Sequence, residues 1–234
     1  MGRYAVVLVA LSALLTPLVP APAEATTQTI VLGGVAVQLP EGTRQVITVN
    51  HTGGYHARVV FWAYVGSRWS REMIAIDGRI GYGGLVAGDR RRQASGTTPL
   101  GTYGLISSFG SHPQAASWGL PYRQVRPNDY WVEDNESPYY NRYRNRHLGG
   151  FRWWLDPNRV NGSERLAAAP HAYEFAVVID YNYEHPVHYR GAGIFLHVEG
   201  RAATAGCVAV PRWFMVGAMA RLDPARHPVI AIGR

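Results

Sequence analysis

Lysine is absent from this 234-residue chain, and cysteine occurs once, at Cys207. A single cysteine excludes an internal disulfide, and with it the small exported folds that such bonds staple together. Charge is scarce, at 17% of residues against 47% hydrophobic. That balance excludes a disordered tether and points to a chain that buries a core. After the N-terminal segment, no apolar run approaches the ~18 residues of a membrane-spanning helix. A His-Glu-x-x-His pattern and a cysteine cluster are both missing, so zinc chemistry lacks its usual ligands. His185 and His188 do stand beside Glu184. On an extended segment, however, residues three apart point to opposite faces.

What is present starts with arginine, which supplies all 23 basic residues and a net charge of +7. GC-rich coding is the bland explanation of the bias. Its chemical consequence is a surface of guanidinium forks that suits an acidic substrate or an anionic cell envelope. At the N-terminus Met1-Gly2-Arg3 carries one positive charge, an apolar stretch runs from Tyr4 to about Val19, and Ala23-Glu24-Ala25 follows. This is the pattern of a secretory signal peptide over residues 1–25, with cleavage expected after Ala25. Pro17 and Pro20 break the apolar run, so no stable membrane insertion is expected after cleavage. The mature chain, residues 26–234, is expected in the periplasm, the cell wall or the extracellular space. It is long enough for one well-buried core.

The mature sequence reads as strands punctuated by Gly, Pro and Asn. Val46–Asn50 and Ala57–Val65 are rich in β-branched and aromatic residues, separated by Thr52-Gly53-Gly54. Residues 74–80, 102–107 and 229–232 form further predicted strands. Glu174–Asp180 is a short apolar run of buried-strand length. After Pro211, the residues Met215, Ala218, Met219 and Leu222 recur at helical spacing until Asp223-Pro224 ends the pattern. Without an internal repeat or a linker, this predicts one mainly β domain with a few short helices.

Chemistry concentrates near the C-terminus. Gly193-Ile194-Phe195-Leu196-His197-Val198 ends an apolar strand in a histidine, and Thr204-Ala205-Gly206-Cys207-Val208 follows. A thiol needs a base to become nucleophilic at neutral pH, and His197 is the obvious one. Gly206 permits close approach of a substrate carbonyl, and the Gly206 and Cys207 amides are candidates for an oxyanion hole. A helix start just after the cysteine would favour its thiolate. The bland alternative is a buried structural thiol beside an unrelated core histidine. These parts, in this order, are those of cysteine-based acyl transfer.

These residues resemble the bacterial L,D-transpeptidase catalytic domains that cross-link peptidoglycan. The resemblance rests on Ile194–Val198 with Thr204–Pro211, and extends upstream to Gly78–Gly84 and to Thr97-Thr98-Pro99-Leu100-Gly101-Thr102-Tyr103. Asp134 and Ser137-Pro138-Tyr139-Tyr140-Asn141 are similar to a stretch in one branch. Where the best-known members place a histidine before the Gly-Cys pair and an arginine or asparagine after it, this chain has Ala205 and Ala209. The interval from His197 to Cys207 is also short for the family, which marks a divergent branch.

The resemblance implies mixed sheets packed as a sandwich, with a long aromatic insertion at about 111–170. It implies that Cys207 attacks a peptidoglycan stem peptide and that His197 moves the protons, with no metal or organic cofactor. The thioester then passes to an amine of a second, acceptor stem. The family usually orients this histidine through a backbone carbonyl; if a carboxylate serves instead, Asp134 or Glu199 is the candidate. Hydrolysis by the same pair, trimming a stem or opening a cross-link, is the alternative; a catalytically silent wall-binding module is a third.

Residues 118–159 hold ten aromatics and seven arginines among five acids. Export and those acids argue against nucleic-acid binding. A lid is expected there, with Tyr139, Tyr140, Asn141 and Asp134 at the donor substrate; the bland alternative is simple packing of the insertion.

Overall fold

The computed structural model describes residues 27–234 and the first two residues, so the expected signal peptide falls almost wholly outside the described residues. In chain order the strands are β1 (Gln28–Leu32), β2 (Val35–Leu39), β3 (Gln45–Gly53), β4 (His56–Val65), β5 (Arg68–Arg79), β6 (Leu85–Ala87), β7 (Thr98–Gly110) and β8 (Tyr122–Gln124). They continue as β9 (Asp129–Trp131), β10 (Tyr143–Asn145), β11 (Glu164–Arg165), β12 (Phe175–Ile179), β13 (Phe195–Val198), β14 (Val208–Val210) and β15 (Val229–Gly233). The α-helix α1 (Arg212–Arg221) lies between the last two strands. Among the described residues no helix is long and apolar enough to cross a membrane.

The fold is mainly β, as the sequence predicts, and its main sheet closes on itself. Its strand order is β12-β13-β14-β5-β4-β3-β15-β7, and β7 pairs back onto β12. The layers expected of a sandwich are therefore one continuous ring. Strands β3, β4 and β5 form an antiparallel meander. Gly66 and Ser67, with φ of 54° and 64°, make the tight left-handed turn between β4 and β5. The ring's interior is filled by alternate residues such as Val59, Phe61, Val177, Leu196, Val208 and Ile230. From α1, Phe214, Met215, Ala218 and Met219 join the same core. The hairpin β1–β2 packs Val35 and Val37 against Val46, Val229 and Ala231.

Strand β12 explains its own unbroken apolar run. Phe175, Val177 and Ile179 face into the ring. Ala176 and Val178 face outward into a second core with Phe109, Trp131, Tyr140, Leu166, Tyr173, Phe195 and Cys207. Both faces are thus buried, which removes any alternation of polar residues. The second core's roof is residues 111–174, which leave β7 at Gly110 and return at Phe175, its direct partner in the ladder. This segment carries a small sheet of its own in the order β10-β9-β11. Edge-on ring contacts fasten it down: Trp131 to Phe195 at 4.7 Å, and Tyr173 to Phe109 at 5.4 Å. Such pairs add about 0.5–1.5 kcal/mol each beyond their buried area.

Candidate active site

Strand alternation decides where the chemistry sits. On β13, Leu196 and Val198 point into the ring core, whereas Phe195 joins the outer core. His197, two residues on, shares the outer face with Phe195. Strand β14 runs parallel to β13 with Leu196 opposite Val208 and His197 opposite Ala209. Cys207, one residue before β14, falls on that outer face, opposite Phe195. One strand across and two residues along is a Cα diagonal of roughly 8 Å, which a thiol and an imidazole can bridge.

His197 is only 8% exposed, and its Nδ1 lies 2.8 Å from the Val198 carbonyl oxygen. In the neutral ring Nδ1–H donates to that carbonyl, which leaves Nε2 as the basic nitrogen. Burial pushes the imidazole pKa down to about 4; the Val198 carbonyl opposes the shift and His171 adds to it. The ring of Tyr173 stands edge-on at 5.7 Å and fixes the imidazole plane. Neither carboxylate weighed as a third member serves. Asp134 is engaged by Arg152, and Glu199 has a buried Oε2 without a hydrogen-bond partner among the described residues.

Cys207 is equally buried, at 8% exposed. Its Sγ donates to the Gly193 carbonyl at 3.3 Å and accepts from the Phe195 amide at 3.4 Å. Burial pushes the thiol up to about 12 and the charge of Glu164 adds to this; the Phe195 amide and Arg91 pull the other way. The resting pair is thus a neutral thiol and a neutral imidazole. Among the described residues, the sulfur bonds Gly193 and Phe195 and makes no hydrogen bond to His197. Attack requires the sulfur to leave the Gly193 carbonyl.

Gly206 differs from its expected role. Its amide donates to Thr204 Oγ1 at 3.2 Å, and that hydroxyl donates to the Cys207 carbonyl at 2.6 Å. The amide is therefore already occupied. The absence of a side chain at 206, where φ is +137°, has a different cause from the one expected. A Cβ there would sit 2.7 Å from Arg91 Nη2 and 2.9 Å from the Thr97 carbonyl oxygen. The helix starts where expected, after Pro211, but Val208, Ala209 and Val210 before it form strand β14, so a helix terminus does not abut the thiol.

Residues 44–230 match the L,D-transpeptidase catalytic domain family, YkuD, over well more than half of the chain. The chain belongs to that family. No curated protein and no solved structure matches it. The matched span of this L,D-transpeptidase domain covers the closed ring and its insertion, and leaves out the β1–β2 hairpin.

The insertion residues expected at the substrate turn out to be internal fasteners. Asn141 is 2% exposed, and its Oδ1 accepts from Trp131 Nε1 at 2.8 Å and from the Gly193 amide at 3.0 Å. Its Nδ2 donates to the carbonyls of Tyr181 and Asn182 at 3.1 and 2.6 Å. The Tyr140 hydroxyl donates to Gln93 Oε1 at 2.6 Å and accepts from the Gly191 amide at 3.1 Å. The ring of His188 stacks on it at 4.8 Å. Asp134 is buried and accepts from the Arg152 amide and Nε, both at 3.0 Å. Saturated with protein partners, these three have nothing left for a ligand. Only Tyr139 reaches the surface, at 36% exposed, with the Arg144 guanidinium over its ring at 3.4 Å. Asn141 nevertheless bears on the thiol, because it holds the residue whose carbonyl binds Sγ.

Sequence reasoning missed four groups around the sulfur. Glu164 accepts from the Tyr173 hydroxyl at 2.7 Å, and burial raises its pKa. Glu133 lies beside Gly193, where its Oε1 is 3.0 Å from the position a Cβ would take. Burial pushes Glu133 up to about 8; Glu164 adds to the shift and Arg91 opposes it. Arg91 itself is buried. Only Glu133 left a sequence signal, as an acid two residues after the aromatic Trp131 and hence on the same strand face.

Proposed function

We propose that this L,D-transpeptidase domain forms peptidoglycan cross-links by acyl transfer through Cys207, after export and cleavage of residues 1–25. The observation that carries the reading is His197 Nε2, without a hydrogen-bond partner among the described residues, on the same sheet face as the only thiol, within a chain of this family. The Cys207 proton passes to Nε2 as sulfur attacks the carbonyl of the third residue of a donor stem. The C–N bond breaks, and the terminal D-amino acid leaves with the proton from the imidazolium. A side-chain amine of an acceptor stem then attacks the thioester, giving its proton to Nε2, and the thiol is regenerated. Every step uses only thiol, imidazole and amine. Burial raises the thiol and lowers the imidazole, so the resting pair is neutral and the Cys207 proton moves to Nε2 as sulfur attacks, once Sγ has left the Gly193 carbonyl.

Mass spectrometry of tetrapeptide muropeptides incubated with the secreted, mature protein tests this directly. Dimers indicate transfer. Trimmed monomers alone would replace transfer by hydrolysis with the same two residues, and unaltered muropeptides would reject both. The secreted chain should begin at Thr26 on N-terminal sequencing.

A further inference from the structure

The occupied Gly206 amide removes one of the two donors expected for the developing negative charge of the acyl intermediate and leaves the Cys207 amide, which bonds no protein group among the described residues. A second donor stands beside it. Arg91 is 5% exposed, and its guanidinium is fixed at two corners: Nε donates to the Thr97 carbonyl at 2.7 Å and Nη1 to the Arg190 carbonyl at 3.3 Å. Its plane lies near the ring of Tyr181, with Cζ 5.6 Å from the centroid. The third corner, Nη2, makes none of these carbonyl bonds, and the guanidinium lies close enough to the Tyr181 hydroxyl to oppose the rise that burial gives its pKa. Arg91 also forms no salt bridge among the described residues. A buried cation without a paired anion is expensive unless an anion arrives.

Two glycines exist to admit this group. A Cβ at Gly191, where φ is +110°, would collide with Nη1, and one at Gly206 would sit 2.7 Å from Nη2. The Nη2 corner is thereby set against the residue that precedes the nucleophile. We propose that Arg91 Nη2 is the oxyanion donor of this site, binding the carbonyl oxygen of the acyl substrate as sulfur adds to it. The proposal rests on the acyl-transfer reading above. As the S–C bond forms, the C=O pair moves onto oxygen, which accepts from Nη2–H. When the pair returns, the C–N bond breaks and the amine leaves with the proton held by His197. The same charge holds the Cys207 thiol below the level that burial and the two glutamates would otherwise set.

The test compares two reagents on the one thiol of the mature protein. Iodoacetamide alkylates sulfur without forming an oxyanion, whereas p-nitrophenyl acetate acylates it through one. Arg91→Gln should lower the acylation rate by ~100-fold or more relative to the alkylation rate, in the range of a lost oxyanion donor. Arg91→Lys, which keeps the charge without the fork, should fall between. The ratio of the two rates is the readout, so a reduced folded fraction, which lowers both alike, does not imitate the effect. An unchanged ratio in both variants overturns the assignment, whether the two rates fall together or stay as they are. Cross-linking of muropeptides is scored separately. A wild type that makes no dimers yet shows the Arg91-dependent ratio rejects transpeptidation and supports the oxyanion role.

Discussion

Replacing Asn141 by glycine should both destabilise the protein and release its thiol. Asn141 has φ of +59°, a left-handed conformation that glycine adopts freely, so the Asn141→Gly exchange removes side-chain bonds without adding backbone strain. Four buried groups lose a partner: the Trp131 indole N–H, the Gly193 amide, and the carbonyls of Tyr181 and Asn182. At about 1 kcal/mol for each unsatisfied group, the loss is about 4 kcal/mol. For a domain of this size that corresponds to a fall in Tm of roughly 8–16 °C. The Gly193 carbonyl holds Sγ at 3.3 Å, so loosening Gly193 also frees the sulfur. A thiol near pKa 12 is ionised to only ~10⁻⁵ at pH 7, against a few per cent for free cysteine, which leaves about three decades of headroom. Alkylation of Cys207 by iodoacetamide, measured well below the variant's own Tm, should quicken at least ~10-fold. A Tm within about 2 °C of wild type would refute the bond count. A lowered Tm with unchanged alkylation would show that Asn141 fastens the insertion without governing the thiol.

Two further outcomes follow from the site. Cys207→Ala should abolish muropeptide turnover while costing about 2–3 kcal/mol of stability by chemical denaturation, because one sulfur atom leaves a small void and takes a weak partner from the Gly193 carbonyl and the Phe195 amide; retained turnover would exclude thiol catalysis. His197 is held neutral, with its folded pKa near 4 against 6.5 unfolded, so the unfolded chain binds more protons between those values. Wild-type stability should therefore fall as pH drops from about 6.5 to 4, by about 3 kcal/mol more than in His197→Gln. Glu133 and Glu164, whose shifts have the opposite sign, are present in both proteins and cancel in the difference. Parallel stability curves would show that His197 does not titrate as a buried neutral base.

What was legible in the sequence was whatever depends on neighbours along the chain. Alternation and glycine punctuation located β3, β4 and β12, and the helical spacing after Pro211 located α1. His197 and Cys207 could be associated because parallel neighbours β13 and β14 are separated by one short loop. Between Cys207 and that helix, Val208-Ala209-Val210 suits a strand, and it is this strand that sets the helix terminus apart from the thiol. In the sequence the missing side chain of Gly206 points to close approach of a substrate carbonyl, but the atoms that require it, Arg91 Nη2 and the Thr97 carbonyl, lie about a hundred residues away. Asn141 and Tyr140 resemble ligand contacts in the sequence because exposed and buried polar residues look alike in a string of letters. Their partners at Gly193, Tyr181 and Gly191 appear only once the insertion folds back on the sheet.

The roof over the thiol has an architectural independence from the ring beneath it. Gly110 and Phe175 are ladder partners, so residues 111–174 begin and end at adjacent points on a closed barrel. For such a loop, doubling its length costs only about 0.6 kcal/mol of closure entropy. The segment is therefore a cassette, free to lengthen, shorten or be exchanged while the strands that carry His197 and Cys207 keep their register. Yet its inner face supplies Trp131, Tyr140, Leu166 and Tyr173 to the core that encloses the sulfur. The domain thus divides its labour: the barrel owns the reacting atoms, and the cover decides how wet, how acidic and how reachable they are.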